Sequence, residues 1–290
     1  EAGLPKGVLN IVHGLGTSAG QAIVEHPHIK AISFTGGTET GKIIARTAAP
    51  MFKKLSLELG GKNPNIIFSD CDYEKMLTTT VKSSFSNQGQ ICLCGSRIFV
   101  EASLFEQFKI DFIERVSQLI VGPPSNESTQ VGALVSKCHY EKVLSFIDGV
   151  DSSESKLLYG GKRVQLKGYE NGYYLTPTII QVNSNSCHLN QDEIFGPIVT
   201  IMPFNSEAEV LEMANDVKYG LSASVWTNNL KRCLFFSEQL ECGIVWVNTW
   251  MQRDLRTPFG GVKSSGVGRE GGFEALRFFT ETKNICINYE

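Results

Sequence analysis

Glu58 and Cys92 are the residues whose types could carry covalent chemistry. Glu58 stands in Leu57-Glu58-Leu59-Gly60-Gly61-Lys62-Asn63-Pro64, and Cys92 in Ser86-Asn87-Gln88-Gly89-Gln90-Ile91-Cys92-Leu93-Cys94. A thiolate adds well to carbonyl carbon, and a nearby carboxylate takes protons from a thiol or from water. The small and amide residues beside both let backbone and substrate come close. The glycines after Glu58 permit an approach that a surface glutamate would not require. A carboxylate enclosed in that way should have a raised pKa, which suits a general base near neutral pH. Taken bare, the alternatives are plain: Cys92 as a buried structural thiol, since cysteine is among the most buried residue types, and Glu58 as a surface residue at a strand end. Cys94 lies two residues further on. It points away from Cys92 if the segment is extended, and it reads as core packing.

The elements that must hold these two residues alternate strand and helix. Val8–Val12 and Ala31–Phe34 read as strands, each followed by a glycine turn (Gly14-Leu15-Gly16-Thr17; Thr35-Gly36-Gly37-Thr38-Glu39-Thr40-Gly41-Lys42) and a helix (Ala19–Glu25; through Ile43, Ile44 and Ala45). Strand, glycine turn and helix in repetition mean βα units and a parallel sheet. Leu55, Leu57 and Leu59 alternate as a strand should. Helical spacing recurs at Leu77, Val81 and Phe85, and again at Phe105, Phe108, Phe112, Val116 and Leu119. Ser103 with Glu106, and Ser206 with Glu209, have the spacing of a capping box. Further strands are expected at Asn65–Phe68, Arg97–Val100, Ile198–Met202, Ser224–Trp226 and Ile244–Asn248, so the middle is a second α/β unit. Lys283–Asn288 reads as a late strand that pairs elsewhere, on another subunit. Glu1–Pro5 reads as the end of a helix, which implies a natural N-terminal portion upstream.

Composition narrows the class. The 290 residues are 42% hydrophobic and 20% charged, enough to bury a large core in one or two domains. The net charge of −3 gives no footprint for nucleic acid or an anionic membrane, and no apolar run is long enough to span a bilayer. The eight cysteines are scattered and no signal peptide opens the chain, so reduced thiols in a cytoplasmic protein are expected. Cys92-Leu93-Cys94 is one residue short of a Cys-x-x-Cys pair, and no metal site is expected. The five histidines show no constellation with Cys92, and no protease-like flank surrounds it.

Gly36-Gly37-Thr38-Glu39-Thr40-Gly41 follows a strand and opens a helix, where backbone N–H groups and the helix dipole face an anion such as a dinucleotide pyrophosphate. The spacing differs from Gly-x-Gly-x-x-Gly, and a tight βα turn without a ligand is the other reading.

Phe34-Thr35-Gly36-Gly37, Leu57-Glu58-Leu59-Gly60-Gly61-Lys62, Asn87-Gln88-Gly89-Gln90-Ile91-Cys92, Glu193-Ile194-Phe195-Gly196-Pro197, Pro258-Phe259-Gly260-Gly261 and Ser265-Gly266-Val267-Gly268-Arg269-Glu270 stand in the order seen in aldehyde dehydrogenases. The chain resembles that family along essentially its whole length. Ile91-Cys92-Leu93-Cys94 and the stretch Asn248–Pro258 resemble its 2-aminomuconic and 2-hydroxymuconic semialdehyde branch.

The resemblance implies the end of a Rossmann-like NAD domain over residues 1–59, an α/β catalytic domain over 60–261, and a return segment with an oligomerisation strand over 262–290. It implies NAD as cofactor, with NADP not distinguished, and a homodimer or homotetramer. It makes Cys92 the nucleophile and Glu58 the base that activates water against a thioester. The Cys92 backbone N–H becomes an oxyanion donor, and the family's second donor, an Asn, lies upstream of Glu1. Gly16, Gly36, Gly37, Thr40 and Leu59 border the cofactor, and Glu193 and Phe195 hold the nicotinamide ribose and ring. Phe259 lines the substrate tunnel. Arg253 would take a substrate carboxylate, because guanidinium binds carboxylate in a planar, two-pronged way. Arg256 is the weaker candidate, and the other reading of this stretch is a solvated loop with Arg253 or Arg256 paired to Asp254. Two other readings stay open at this point: a catalytically inert truncated or structural homologue, and a thioesterase that uses Cys92 and Glu58 without a cofactor.

Overall fold

In the computed structural model, which describes residues 2–148, 150 and 153–290, two sheets meet along the segment that joins Glu58 to Asn63. A short helix, α1 (Gln21–Glu25), leads into β1 (Ala31–Thr35), α2 (Thr38–Ala48) and β2 (Lys54–Glu58). β1 and β2 pair in parallel, with Thr35 opposite Glu58. Leu57 and Leu59 join Val24, Ile32, Ile44 and Ala48 in a small core, with Leu55 at its margin. The period of two along a strand then sends Ser56 and Glu58 to the opposite side.

After Gly60 and Gly61 the chain enters the large sheet through β3 (Asn63–Ile67), α3 (Tyr73–Phe85), β4 (Gly95–Glu101), α4 (Ala102–Ser117), α5 (Lys137–Asp148) and β5 (Ser155–Tyr159). The short pair β6 (Arg163–Val164) and β7 (Tyr174–Leu175) follows, and then β8 (Thr178–Val182), α6 (His188–Gln191), β9 (Ile198–Phe204) and α7 (Glu207–Asn215). β10 (Tyr219–Gly220), β11 (Ser222–Trp226), α8 (Leu230–Gln239) and β12 (Ile244–Val247) complete this unit. Its seven strands run in the order β12-β11-β3-β4-β9-β8-β5, all parallel except β5. Alternate residues feed opposite faces. Ile67, Ile98 and Val100 pack under α3 and α4, whereas Ile66, Phe68 and Phe99 pack under α7 and α8. Pro64 sits inside this sheet at a register irregularity beside Asn63, a position where the missing N–H is tolerated. The chain then returns through β13 (Val262–Lys263), β14 (Gly266–Val267) and α9 (Gly272–Phe279). β14 pairs antiparallel with β2, setting Gly266 opposite Glu58.

Several expectations need correction. Val8–Val12 forms no strand, and Val8, Leu9, Ile11 and Val12 are exposed, because no neighbouring strand offers them a ladder. Ala2–Pro5 is not helical, and Glu1 lies outside the described residues. Ser103 caps nothing: β4 runs straight into α4, whose cap position is Glu101, and the Glu101 carboxylate instead accepts from Ser69 N at 2.6 Å. Half of the second box forms: Ser206 Oγ accepts from Glu209 N, but the Glu209 carboxylate accepts from Asn205 N, one residue before the cap. Residues 283–288, whose expected pairing lies on another subunit, are no such correction: they meet no strand of this chain, and Ile285 and Ile287 are exposed. Among the described residues no helix is long and apolar enough to cross a membrane.

Candidate active site

Glu58 ends β2, Cys92 lies just before β4, and Glu193 and Phe195 lie just before β9. Each of the latter segments therefore enters the large sheet at the N-terminal end of a strand. Gly36 and Gly37 leave the small sheet at the C-terminal end of β1, where open α/β sheets bind ligands. The two sheets thus bring different ends of their strands to one place.

Gly60 and Gly61 make the approach possible. A Cβ at Gly60 would fall on the Glu193 carboxylate, and one at Gly61 would come within 2.8 Å of Cys92 O. Glu193 accepts a hydrogen bond from Gly61 N at 2.9 Å. Asn63, 3% exposed, donates from Nδ2 to both Cys92 O and Cys94 O at 2.8 Å and accepts from Ser222 N at 3.0 Å. The backbone that carries the thiol is therefore pinned to the start of β3.

Glu58 is 3% exposed, and among the described residues neither of its carboxylate oxygens has a hydrogen-bond partner. Burial first, then the negative charge of Glu270, push its carboxyl up to about 7, against the pull of Arg269 and Arg253. Gly260, with φ of 156°, backs onto it, and a Cβ there would lie 2.8 Å from Glu58 Oε1. Cys92 is half-buried. Its thiol is pushed up by burial, then by the charges of Glu193 and Glu58, while its own backbone N–H and Arg253 pull it back. A thiol of that kind needs a base to become a nucleophile, and Glu58, whose charge it feels, has a carboxyl pushed up to about 7. Cys94 is buried and pushed up to about 12, as a core thiol should be.

A cavity of about 520 Å³ opens on Cys92. Thr35, Gly36, Gly37, Leu59 and Gly60 form one wall, and Gln90, Ile91, His139, Lys142, Glu193 and Phe195 the rest. α2 begins there at Gly37 with no side-chain cap on its first turn. Phe195 is held at φ of 57°, with its carbonyl 2.6 Å from His139 Nε2. A second cavity of about 370 Å³ is lined by Trp246, Arg253, Phe259 and Glu270 among others. The Arg253 guanidinium lies 4.3 Å above the Phe259 ring. Cys92, Phe259, Trp250 and Met251 pack against one apolar cluster of Leu93, Leu221 and Trp246. No group of three or more His, Cys, Asp or Glu able to hold a metal occurs among the described residues.

The structure thus brings Gly36, Gly37, Leu59, Glu193 and Phe195 to one cavity with Cys92, and Arg253 and Phe259 to the neighbouring one. It does not bring Gly16 or Thr40 there. Gly16 lies in an exposed turn over Gly16–Gly20, and Thr40 points outward from α2. Arg256 is bound to Asp254 at 2.5 Å and is exposed, which is the bland alternative foreseen for it. Of the five histidines, which show no constellation with Cys92 in the sequence, His139 lines the same cavity and is paired with Phe195 O. Lys142, one helical turn further, was missed with it. The spacing of the pair on a helix was the available signal, but nothing in the sequence says what that face meets. Asn63 reads in the sequence only as a flank of Glu58, although an amide two residues after a glycine pair is a cue for close backbone contact.

The sequence matches the aldehyde dehydrogenase family over residues 1–285, and the chain belongs to that family. It is 48% identical to the 2-aminomuconic semialdehyde dehydrogenase of Danio rerio, across 100% of this chain and 60% of that protein. It is 44% identical to the 2-hydroxymuconic semialdehyde dehydrogenase of Pseudomonas sp. (strain CF600), across 99% of this chain and 59% of that protein. Among solved structures, the betaine aldehyde dehydrogenase of Staphylococcus aureus in complex with NAD+ superposes with a TM-score of 0.91 at 36% identity, covering 94% of this chain and 55% of that one. The chain thus spans about 60% of the length of the curated relatives it matches.

Proposed function

We propose that the chain carries the thiol and the base of an NAD-dependent dehydrogenase that oxidises an acidic semialdehyde to the carboxylic acid. The observation that carries this reading is the unpartnered, buried Glu58 carboxylate with a pKa of about 7, electrostatically coupled to Cys92 at the wall of a cavity. We assign residues 1–59 to the cofactor unit, 60–261 to the catalytic unit and 262–290 to a return and oligomerisation segment.

The first cavity has the chemistry that NAD requires. The start of α2 after Gly37, without a side-chain cap, would offer N–H groups to the pyrophosphate, and Glu193 and Phe195, which line the same cavity, would hold the ribose hydroxyls and the nicotinamide ring. When bound, NAD supplies the acceptor for the hydride that converts a thiohemiacetal to a thioester. Glu58 takes the proton of the Cys92 thiol as the sulfur bonds to the aldehyde carbon, and the oxyanion that forms meets the Cys92 backbone N–H. Glu58 gives that proton up to solvent once the thioester has formed, and as the carboxylate again it takes a proton from water while the water oxygen bonds to the thioester carbon. The carbon–sulfur bond breaks and the thiolate is released.

The identities to muconic semialdehyde dehydrogenases, together with Arg253 beside Phe259, support a substrate that carries a carboxylate. An acidic semialdehyde with NAD should raise NADH absorbance, and Cys92→Ser should abolish the rise. Hydrolysis of a p-nitrophenyl ester without any NADH signal would instead favour a cofactor-free thioesterase. Arg253→Ala should raise KM for the acidic semialdehyde roughly tenfold, as loss of a charge-assisted bond implies, and leave a neutral aldehyde unaffected. Equal losses on both would remove the carboxylate assignment.

A further inference from the structure

Three successive backbone carbonyls of the nucleophile segment are each held by a side chain from elsewhere. Asn63 takes Cys92 O and Cys94 O, and the Trp250 indole Nε1 donates to Leu93 O at 2.9 Å. A second indole repeats the device nearby: Trp246 Nε1 donates to Gln252 O at 3.0 Å, on the peptide next to Arg253. The loop from Asn248 to Arg253 is therefore tied at one point to the residue after Cys92 and at another to β12. Between the ties it is bent through two left-handed residues, Asn248 and Met251, with φ of 54° and 59°. Such a conformation in non-glycine residues persists only when the surroundings impose it. Trp250 and Met251 also pack, with Cys92 and Phe259, on the cluster around Trp246, and Arg253 lies over Phe259.

The contacts form a short frame from sulfur to guanidinium. Leu93 and its carbonyl stand next to Cys92, Trp250 grips that carbonyl, and the bent backbone leads from Trp250 to Arg253. We propose that Trp250 is a positioning residue, whose indole N–H fixes the span between the Cys92 sulfur and the Arg253 guanidinium and so selects aldehydes with a carboxylate at a set distance from the reacting carbon. This rests on the roles given above to Cys92 and Arg253. A loop free to shift by an ångström would still bind a carboxylate, but it would no longer present the reacting carbon to the sulfur.

Alkylation of Cys92 by iodoacetate and by iodoacetamide, followed residue by residue with mass spectrometry, tests the span without any turnover. In both reactions the thiolate forms a sulfur–carbon bond and iodide leaves, and the reagents differ mainly in their carboxylate. The readout is the iodoacetate-to-iodoacetamide rate ratio at Cys92, normalised to the ratio at exposed Cys138. Arg253→Ala should lower that ratio. Trp250→Phe, which keeps an aromatic ring and removes the donor, should lower it by roughly threefold or more toward the Arg253→Ala value, in line with loss of a charge-assisted contact. Trp250→His, which restores a ring N–H, should recover part of it. A lowered ratio in Arg253→Ala with a parental ratio in both Trp250 variants overturns the proposal and leaves Arg253 in place. Equal acceleration by both reagents in the Trp250 variants overturns it too, since that is loosening without selection. An unchanged ratio in Arg253→Ala overturns the carboxylate reading itself, and the proposal with it. If Trp250→Phe does not fold, Trp250→His decides on the same ratio.

Discussion

At the scale of the residue, Glu58 gains its character from what surrounds it. Burial and the neighbouring Glu270 hold its carboxyl near 7, so it is about half ionised at neutral pH and ready to accept a proton. The thioester-hydrolysis step should therefore accelerate as pH rises through about 7 and level off above it. Glu58→Gln should flatten that limb and slow hydrolysis by about 100-fold or more, the range typical of a lost general base, with an NADH burst retained. Loss of the burst would assign Glu58 to the earlier step. The same shift affects stability. The folded pKa lies above the ordinary carboxylate value, so the protonated carboxyl carries no penalty below about 4.5, and the cost of burying the charge builds as pH rises from there through about 7, above which it is complete. Glu58→Gln should then stabilise the fold by about 2 kcal/mol at pH 8 and leave it unchanged at pH 4, measured by urea unfolding at the two pH values.

At the scale of the element, the site depends on how strand entries are anchored. Arg97 on β4 is fully buried and donates to Lys62 O at 2.8 Å, just before β3, and to Met213 O and Ala214 O near the end of α7. It satisfies carbonyls that the end of a helix leaves open, and it fixes the segment between Glu58 and Asn63. Arg97→Met leaves those carbonyls without that donor and should cost about 3 kcal/mol or more, visible as a lower denaturation midpoint at unchanged slope. Elements with regular apolar spacing were legible in advance, α4 with its phenylalanines most clearly. Val8–Val12 was not, because an apolar run specifies a strand only when an edge is there to receive it. Ser103 shows the same limit for caps, since its spacing was right but the preceding strand left no cap position for it.

At the scale of the whole molecule, the small sheet is closed by a segment from the far end of the chain. Gly266 faces Glu58 across the β14–β2 pair at φ of 146°, and a Cβ there would fall on Leu57 O. Gly266→Ala should separate the return segment from Glu58's strand and lower the melting temperature by about 5 °C or more, with activity falling alongside. A melting temperature equal to the parent's would mean that the pairing is dispensable. The order of motifs along the chain carried the family and the pairing of Cys92 with Glu58, because glycines, amides and reactive groups at fixed offsets are local facts that a sequence records directly. The sequence by itself therefore determined the class of fold and singled out Cys92 and Glu58 as the proposed reacting groups. Only the tertiary structure decided that His139 and Lys142 share the cavity of Cys92, that Gly16 and Thr40 do not, and that Arg256 is spent on Asp254. Those outcomes depend on which surfaces meet across long separations and on which charges find a partner first, and neither is written into local spacing.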